Sequence, residues 1–257
     1  MSILFLLIVW SYIADIDSIV RSTAYLFFPV LAIVSGFMLA RMYGVKNKNG
    51  QILLLFTAGL VCWTLGETIW YMFEQYLAVD PFPSSADVFF LLGYPLLLMA
   101  LLKKFRLLDI TTKQLRAFVA WPYKVIVLLA IVLVSYFGIY GAYDMDSSFL
   151  ENIMAMSYGV GDLVLIVAAI IAGVGVFMYK GGKFARFWRG IVIAFVFFLL
   201  ADIFFGIYNT PYEEALRPYI YIDLFWIFGY VIFSYSFIDQ YMSLLKTKQR
   251  ARIADVW

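Results

Sequence analysis

The sequence predicts an all-α membrane protein of seven transmembrane helices. Its N-terminus is expected outside, its C-terminus in the cytoplasm, and spans one to three and five to seven form two parallel three-helix repeats joined by span four. Three observations carry this. Of 257 residues, 65% are apolar and only 14% charged, with a mean hydropathy of +0.91, against about a quarter charged in a soluble domain. Long apolar runs recur along the whole chain, and basic residues gather on alternate connections between them.

A soluble globule of this length could not hide so much apolar surface. The composition therefore excludes a soluble enzyme, a disordered tail and a nucleic-acid module, and makes the lipid bilayer the first partner. Histidine is absent, which removes bis-imidazole haem ligation, the usual zinc ligands and the commonest neutral-pH general base. Cys62 stands alone, so no intrachain disulfide or thiolate cluster can form. No cofactor, metal site or catalytic residue is expected.

About 20 consecutive apolar residues cross a hydrocarbon core of roughly 30 Å. Such runs occupy 19–43, 52–78, 86–108, 122–143, 150–179, 187–209 and 219–245, so residues 19–245 read as one transmembrane domain with short connections. Residues 1–13 are apolar but too short to span, lack the features of a signal peptide, and precede Asp15 and Asp17. The stretch 1–18 is accordingly read as an outer-face interfacial segment. Residues 246–257 form a short basic cytoplasmic tail, too small for a catalytic domain.

The basic residues fix the orientation. Arg41, Lys46 and Lys48 follow span one, and Lys103, Lys104, Arg106, Lys113, Arg116 and Lys124 follow span three. Lys180, Lys183, Arg186 and Arg189 follow span five, and Lys246, Lys248, Arg250 and Arg252 follow span seven. Seventeen of nineteen basic residues thus share one side, leaving Arg21 and Arg217 on the other. Asp80, Asp144, Asp146, Glu151, Glu213 and Glu214 lie on the opposite, outer side.

The repeat is visible in matched segments. Asp87-Val88-Phe89-Phe90-Leu91-Leu92-Gly93-Tyr94 aligns with Asp223-Leu224-Phe225-Trp226-Ile227-Phe228-Gly229-Tyr230. Gly66-Glu67, between Trp63 and Trp70, aligns with Ala201-Asp202, between Phe198 and Phe205. Tyr25 and Pro29 align with Tyr158 and Asp162. Parallel three-helix repeats occur among transporters and seven-helix sensory proteins.

A carboxylate at bilayer depth costs roughly 2.5–3.5 kcal/mol on insertion scales, so each needs a reason. Glu67, Glu74, Asp87, Asp162, Asp202 and Asp223 fall in the outer half or near the middle of their spans. Trp70, Tyr71, Tyr94, Tyr158, Trp226 and Tyr230 share their stripes. If these faces converge, they form an acidic, aromatic-lined pocket open to the outside, for a small ligand or cation. The competing reading is that single carboxyls tie helices together, at about 0.6 kcal/mol per bond on average.

Retinal chemistry is excluded, because span seven holds no lysine for a Schiff base. Gly159-Val160-Gly161-Asp162 is similar to half of the intramembrane aspartyl protease signature, which also needs a second, adjacent aspartate. Asp202 is the deeper candidate and Asp144 the shallower. The Pro-Ala-Leu element of the presenilin-like group is absent, so this enzyme is a minor alternative.

Two segments carry a family resemblance. They are Trp63-Thr64-Leu65-Gly66-Glu67-Thr68-Ile69-Trp70 and Asp80-Pro81-Phe82-Pro83-Ser84-Ser85-Ala86-Asp87, the second continuing through Gly93-Tyr94-Pro95. The chain resembles the seven-helix membrane module found N-terminal to GGDEF diguanylate cyclase and histidine kinase domains of bacteria and archaea. That resemblance implies a prokaryotic sensor in the cell membrane. No output domain follows span seven in this sequence, so it implies signalling through a membrane or cytoplasmic partner. A small-solute transporter and a subunit of a larger membrane complex remain the alternatives.

Overall fold

The computed structural model describes residues 18–79, 81–108, 121–180, 182–213 and 219–254. Among these, the architecture is all-helical, without strands. In order, the helices are α1 (Ser18–Tyr43), α2 (Lys48–Tyr71), α3 (Ser85–Leu107), α4 (Trp121–Leu133), α5 (Phe149–Lys180), α6 (Gly182–Glu213) and α7 (Asp223–Ala254). A wider, π-helical turn extends α2 over Met72–Leu77 and α4 over Val134–Tyr140, and a 3-10 turn, Tyr219–Ile222, leads into α7. The expected interfacial segment lies outside the described residues except for Ser18.

Local chemistry sets the helix ends. Gly44, at φ 93°, closes α1 in the left-handed conformation that glycine adopts without Cβ strain, and its N–H returns to the Ala40 and Arg41 carbonyls. Asn47 caps α2 by accepting from the Asn49 N–H at 2.8 Å. Ser84 and Asp87 form a reciprocal capping box at the start of α3. The distinctive Pro-Phe-Pro-Ser-Ser-Ala-Asp segment is thus, in part, a helix-start signal.

Among the described residues, five helical segments are long and apolar enough to cross a membrane: Leu26–Tyr43, Lys48–Glu74, Ser85–Leu107, Phe149–Val174 and Ala185–Tyr208. Two of the seven expected spans differ. The fourth is helical over Trp121–Leu133 and Val134–Tyr140, and among the described residues its apolar stretch is Val127–Tyr140. The last has the length, at 32 residues, but Asp223, Ser234, Ser236, Asp239 and Gln240 dilute its apolar run. It also continues to Ala254, into the expected basic tail.

α1, α2, α3, α5, α6 and α7 close a ring in that order, with α7 returning to α1. α4 stands outside the ring, its π turn packed on α5 and α6. Across the middle, Trp63 of α2 meets Phe198 of α6 with centroids 4.8 Å apart. Towards the basic end, Phe56 lies 5.8 Å from Phe195, 5.4 Å from Phe233 and 5.8 Å from Phe237. Edge-on ring contacts of this kind add to the gain from burial alone.

The outside of the bundle is apolar too. On α1, Phe27, Val30, Val34 and Phe37 recur at helical spacing and are each 43–50% exposed. Such a face suits hydrocarbon rather than water. At the basic end polar ties cross between helices: Lys104 Nζ donates to Asn49 Oδ1 at 3.0 Å and sits 5.6 Å over the Trp188 ring. Gln240 Nε2 donates to Tyr43 Oη at 2.9 Å, and Arg186 pairs with Asp239 at 3.8 Å.

Candidate functional site: an acidic, aromatic cavity

At the other end of the ring lies a cavity of about 640 Å³. Helical spacing places its walls. Trp63, Glu67 and Trp70 share one face of α2, Tyr158 and Asp162 one face of α5, and Phe198, Asp202 and Phe205 one face of α6. Asp87, Phe90 and Tyr94 come from α3, and Trp226 and Tyr230 from α7.

Hydrogen bonds chain these side chains from helix to helix. Tyr94 Oη donates to Asp162 Oδ1 at 2.8 Å, joining α3 to α5. Tyr158 Oη donates to Asp87 Oδ1 at 2.5 Å, joining the same pair nearer the end. Trp226 Nε1 donates to Asp202 Oδ1 at 2.7 Å, joining α7 to α6. The Asp162 and Asp202 carboxyls also interact directly with each other, which links α5 to α6. Two carboxyls in such contact need a shared proton or a cation between them. Both oxygens of Asp87 are engaged, because its Oδ2 accepts from the Ser84 N–H at 2.7 Å.

The rim is built by the loop between the α4 turn and α5. Asp144 accepts from the Asp146 N–H at 3.0 Å and from Ser147 Oγ at 2.9 Å. Those bonds hold its carboxyl below the usual carboxylate range. Asn152, 7% exposed, clamps the loop by accepting from the Asp144 N–H and donating to the Asp144 carbonyl, both at 2.7 Å. Glu151 and Ser148 cap the start of α5 reciprocally. The wall formed by α4 depends on Gly138 and Gly159. A Cβ on Gly159 would run into the Gly138 backbone, so glycine permits this close approach.

Of the residues that the sequence nominates, Glu67, Trp70, Asp87, Tyr94, Tyr158, Asp162, Asp202, Trp226 and Tyr230 line the cavity. Tyr71, Glu74 and Asp223 do not. The helix widens into its π turn at Met72, which rotates Glu74 off the Glu67–Trp70 face and leaves it exposed. Asp223 is the first residue of α7, directly after the 3-10 turn, whereas Asp87 is the third residue of α3 and is held by its capping box. The sequence reading omitted the aromatic walls Trp63, Phe198 and Phe205 and the rim residues Asp144, Glu151 and Asn152. Phe198 and Phe205 lie four before and three after Asp202, a spacing that could have found them. The rim has no such period.

Among the described residues, six carboxyls line the cavity, those of Glu67, Asp87, Asp144, Glu151, Asp162 and Asp202, and no lysine, arginine or histidine does. Among the described residues, no group of three or more His, Cys, Asp and Glu side chains is placed to hold a metal ion. The chemistry on offer is proton sharing between Asp162 and Asp202 and attraction of a cation. No protein-family profile, curated protein or solved structure matches the chain.

Proposed function

We propose that the chain is a seven-helix receptor of the cell membrane. It binds a small ligand or cation in an outward-facing pocket and signals through a partner at its basic, cytoplasmic end. One observation carries this reading: the acidic cavity is single-ended. Beneath Trp63 and Phe198 the ring is filled by Phe56, Phe195, Phe233 and Phe237, none more than 5% exposed and none lining the cavity. A dead-end pocket suits recognition better than passage.

The two-repeat arrangement is supported by the ring itself, in which α1 stands opposite α5, α2 opposite α6 and α3 opposite α7. Matched positions also make matched contacts. Trp63 meets Tyr94 edge-on at 5.5 Å, and their counterparts Phe198 and Tyr230 meet edge-on at 4.9 Å. Trp70 and Phe90 lie 6.4 Å apart at 61°, and Phe205 and Trp226 lie 5.8 Å apart at 60°. Gly93 leaves room for Trp63 as Gly229 does for Phe198.

The test uses the full chain in lipid nanodiscs, screened for small molecules that raise its melting temperature. The expected result is a saturable shift that is lost in the Asp162→Asn/Asp202→Asn variant, together with copurification of a signalling partner. Net flux of the bound molecule through reconstituted vesicles would instead make the chain a transporter, the function its parallel repeats also suit.

A further inference from the structure

We infer that the ligand is an organic ammonium ion, its charge seated among Glu67, Asp162 and Asp202 and its carbon skeleton lying against Trp70, Phe205 and Trp226. This rests on the ligand-pocket reading above and names the chemistry of the occupant. Among the described residues, the excess of carboxyls over basic groups in the lining asks for positive charge.

An independent observation comes from Tyr230. It is 2% exposed, it lines the cavity, and its hydroxyl has no hydrogen-bond partner among the described residues. An unpaired buried hydroxyl costs free energy that a bound N–H group would recover. Glu67 and Asp202 lie within electrostatic reach of the same hydroxyl. Under the repeat alignment the orphan has a simple origin. Tyr94 bonds Asp162, whereas the position matching Asp162 in α1 is Pro29, whose side chain offers no acceptor.

The lining discriminates against a bare metal ion. Asp87, Asp162 and Asp202 each already accept from an aromatic donor. Calcium takes six to eight oxygens, and rings supply none. Aromatic faces do attract ammonium groups, most strongly where water is excluded. Trp70 lies 6.2 Å from Phe205, and Phe205 lies 5.8 Å from Trp226, giving a continuous wall of three rings. The volume of about 640 Å³ is that of a small-molecule site, typically about 300–1,000 Å³. Trp70 and Phe205 sit one helical turn nearer the acidic end than Glu67 and Asp202. The ligand therefore enters charge first, with its apolar part towards the rim.

The experiment measures tryptophan fluorescence and melting of the full chain in nanodiscs. The probes are propylamine, cadaverine, phenethylamine and tetramethylammonium, with 2-phenylethanol, phenylacetate and calcium chloride as counterparts. At least one ammonium probe should bind saturably and more tightly than every counterpart. Asp202→Asn should weaken it at least about tenfold, as loss of a charged hydrogen bond does. Glu67→Gln serves the same purpose should that variant fail to fold. Tyr230→Phe should weaken it roughly two- to tenfold without lowering the melting temperature of the probe-free protein. Equal or tighter binding of 2-phenylethanol, phenylacetate or calcium, abolished by Trp70→Leu, would overturn the ammonium assignment and leave the pocket reading standing. If none of the probes binds, both readings fall.

Discussion

The Tyr94 hydroxyl reaches 68 positions along the sequence to Asp162, 2.8 Å away, whereas the Tyr230 hydroxyl, in the matching position on α7, meets no partner among the described residues. The contrast gives opposite signs to one substitution. Tyr94→Phe should lower stability by about 0.6 kcal/mol, the average for hydrogen bonds inside a membrane protein, and by no more than about 1.7 kcal/mol. Tyr230→Phe should leave the probe-free protein at least as stable, because it removes an unsatisfied group. Thermal melts of both variants in one detergent check this. Equal losses would show that the two hydroxyls have equivalent surroundings.

The α4–α5 contact should be as sensitive to volume as any core position. Gly159→Leu forces a side chain against the Gly138 backbone, and overpacking of this sort costs about 1–3 kcal/mol. The variant should melt earlier and lose any ligand-induced shift, since α4 walls the cavity. An unchanged shift would mean that α4 is no part of the site.

The rim loop has a definite acid limit. Asp144 has its carboxyl held below the ordinary range by the Asp146 N–H and the Ser147 hydroxyl, and an unperturbed aspartate titrates near about 3.9. A lowered value in the folded state means that its contribution is fully present above that pH and fades as pH falls through the lowered value. Protection of the Asp146 amide, taken relative to its intrinsic exchange rate at each pH, should therefore hold from neutral pH down to about 4 and fall below it. Asp144→Asn should abolish the step. Acceleration already at neutral pH would contradict the bonds assigned to this carboxyl.

Orientation is testable with one thiol. In a Cys62→Ala background, a cysteine replacing Ser147 should react with a membrane-impermeant maleimide on intact cells, and one replacing Lys246 should react only after lysis. Labelling in the reverse pattern would invert the bundle and turn the cavity towards the cytoplasm.

The repeat predicts coincidence in space. Superposing α1–α3 on α5–α7 should place Glu67 over Asp202 and Asp87 over Asp223, each within about one helical turn, 5.4 Å. Larger separations would reduce the matched segments to chance.

What the sequence made legible follows from regular spacing. Glu67 with Trp70, Tyr158 with Asp162, and Trp226 with Tyr230 each lie three or four residues apart, and helical geometry alone brings each pair to one wall. Glu74 escapes because a π turn breaks the period at Met72, and no local residue preference announces that turn. The rim was hidden for another reason. Asp144, Glu151 and Asn152 are placed by turn and capping bonds rather than by helix phase. The meeting of Asp162 with Asp202 required the ring order of the helices, which composition and periodicity leave open.

The phenylalanines under the cavity have a mechanical consequence. Close-packed aromatic layers compress little, so they hand on a displacement instead of absorbing it. If a ligand of the proposed receptor pushed a helix outward at the acidic end, Phe56, Phe195, Phe233 and Phe237 would be its fulcrum. The lever's far arm carries Lys104 over Trp188 and Arg186 beside Asp239. Under the receptor proposal, motion there would displace the buried Lys104 ammonium and the partly exposed Arg186–Asp239 pair, charges that lie beside any protein docked at the basic end.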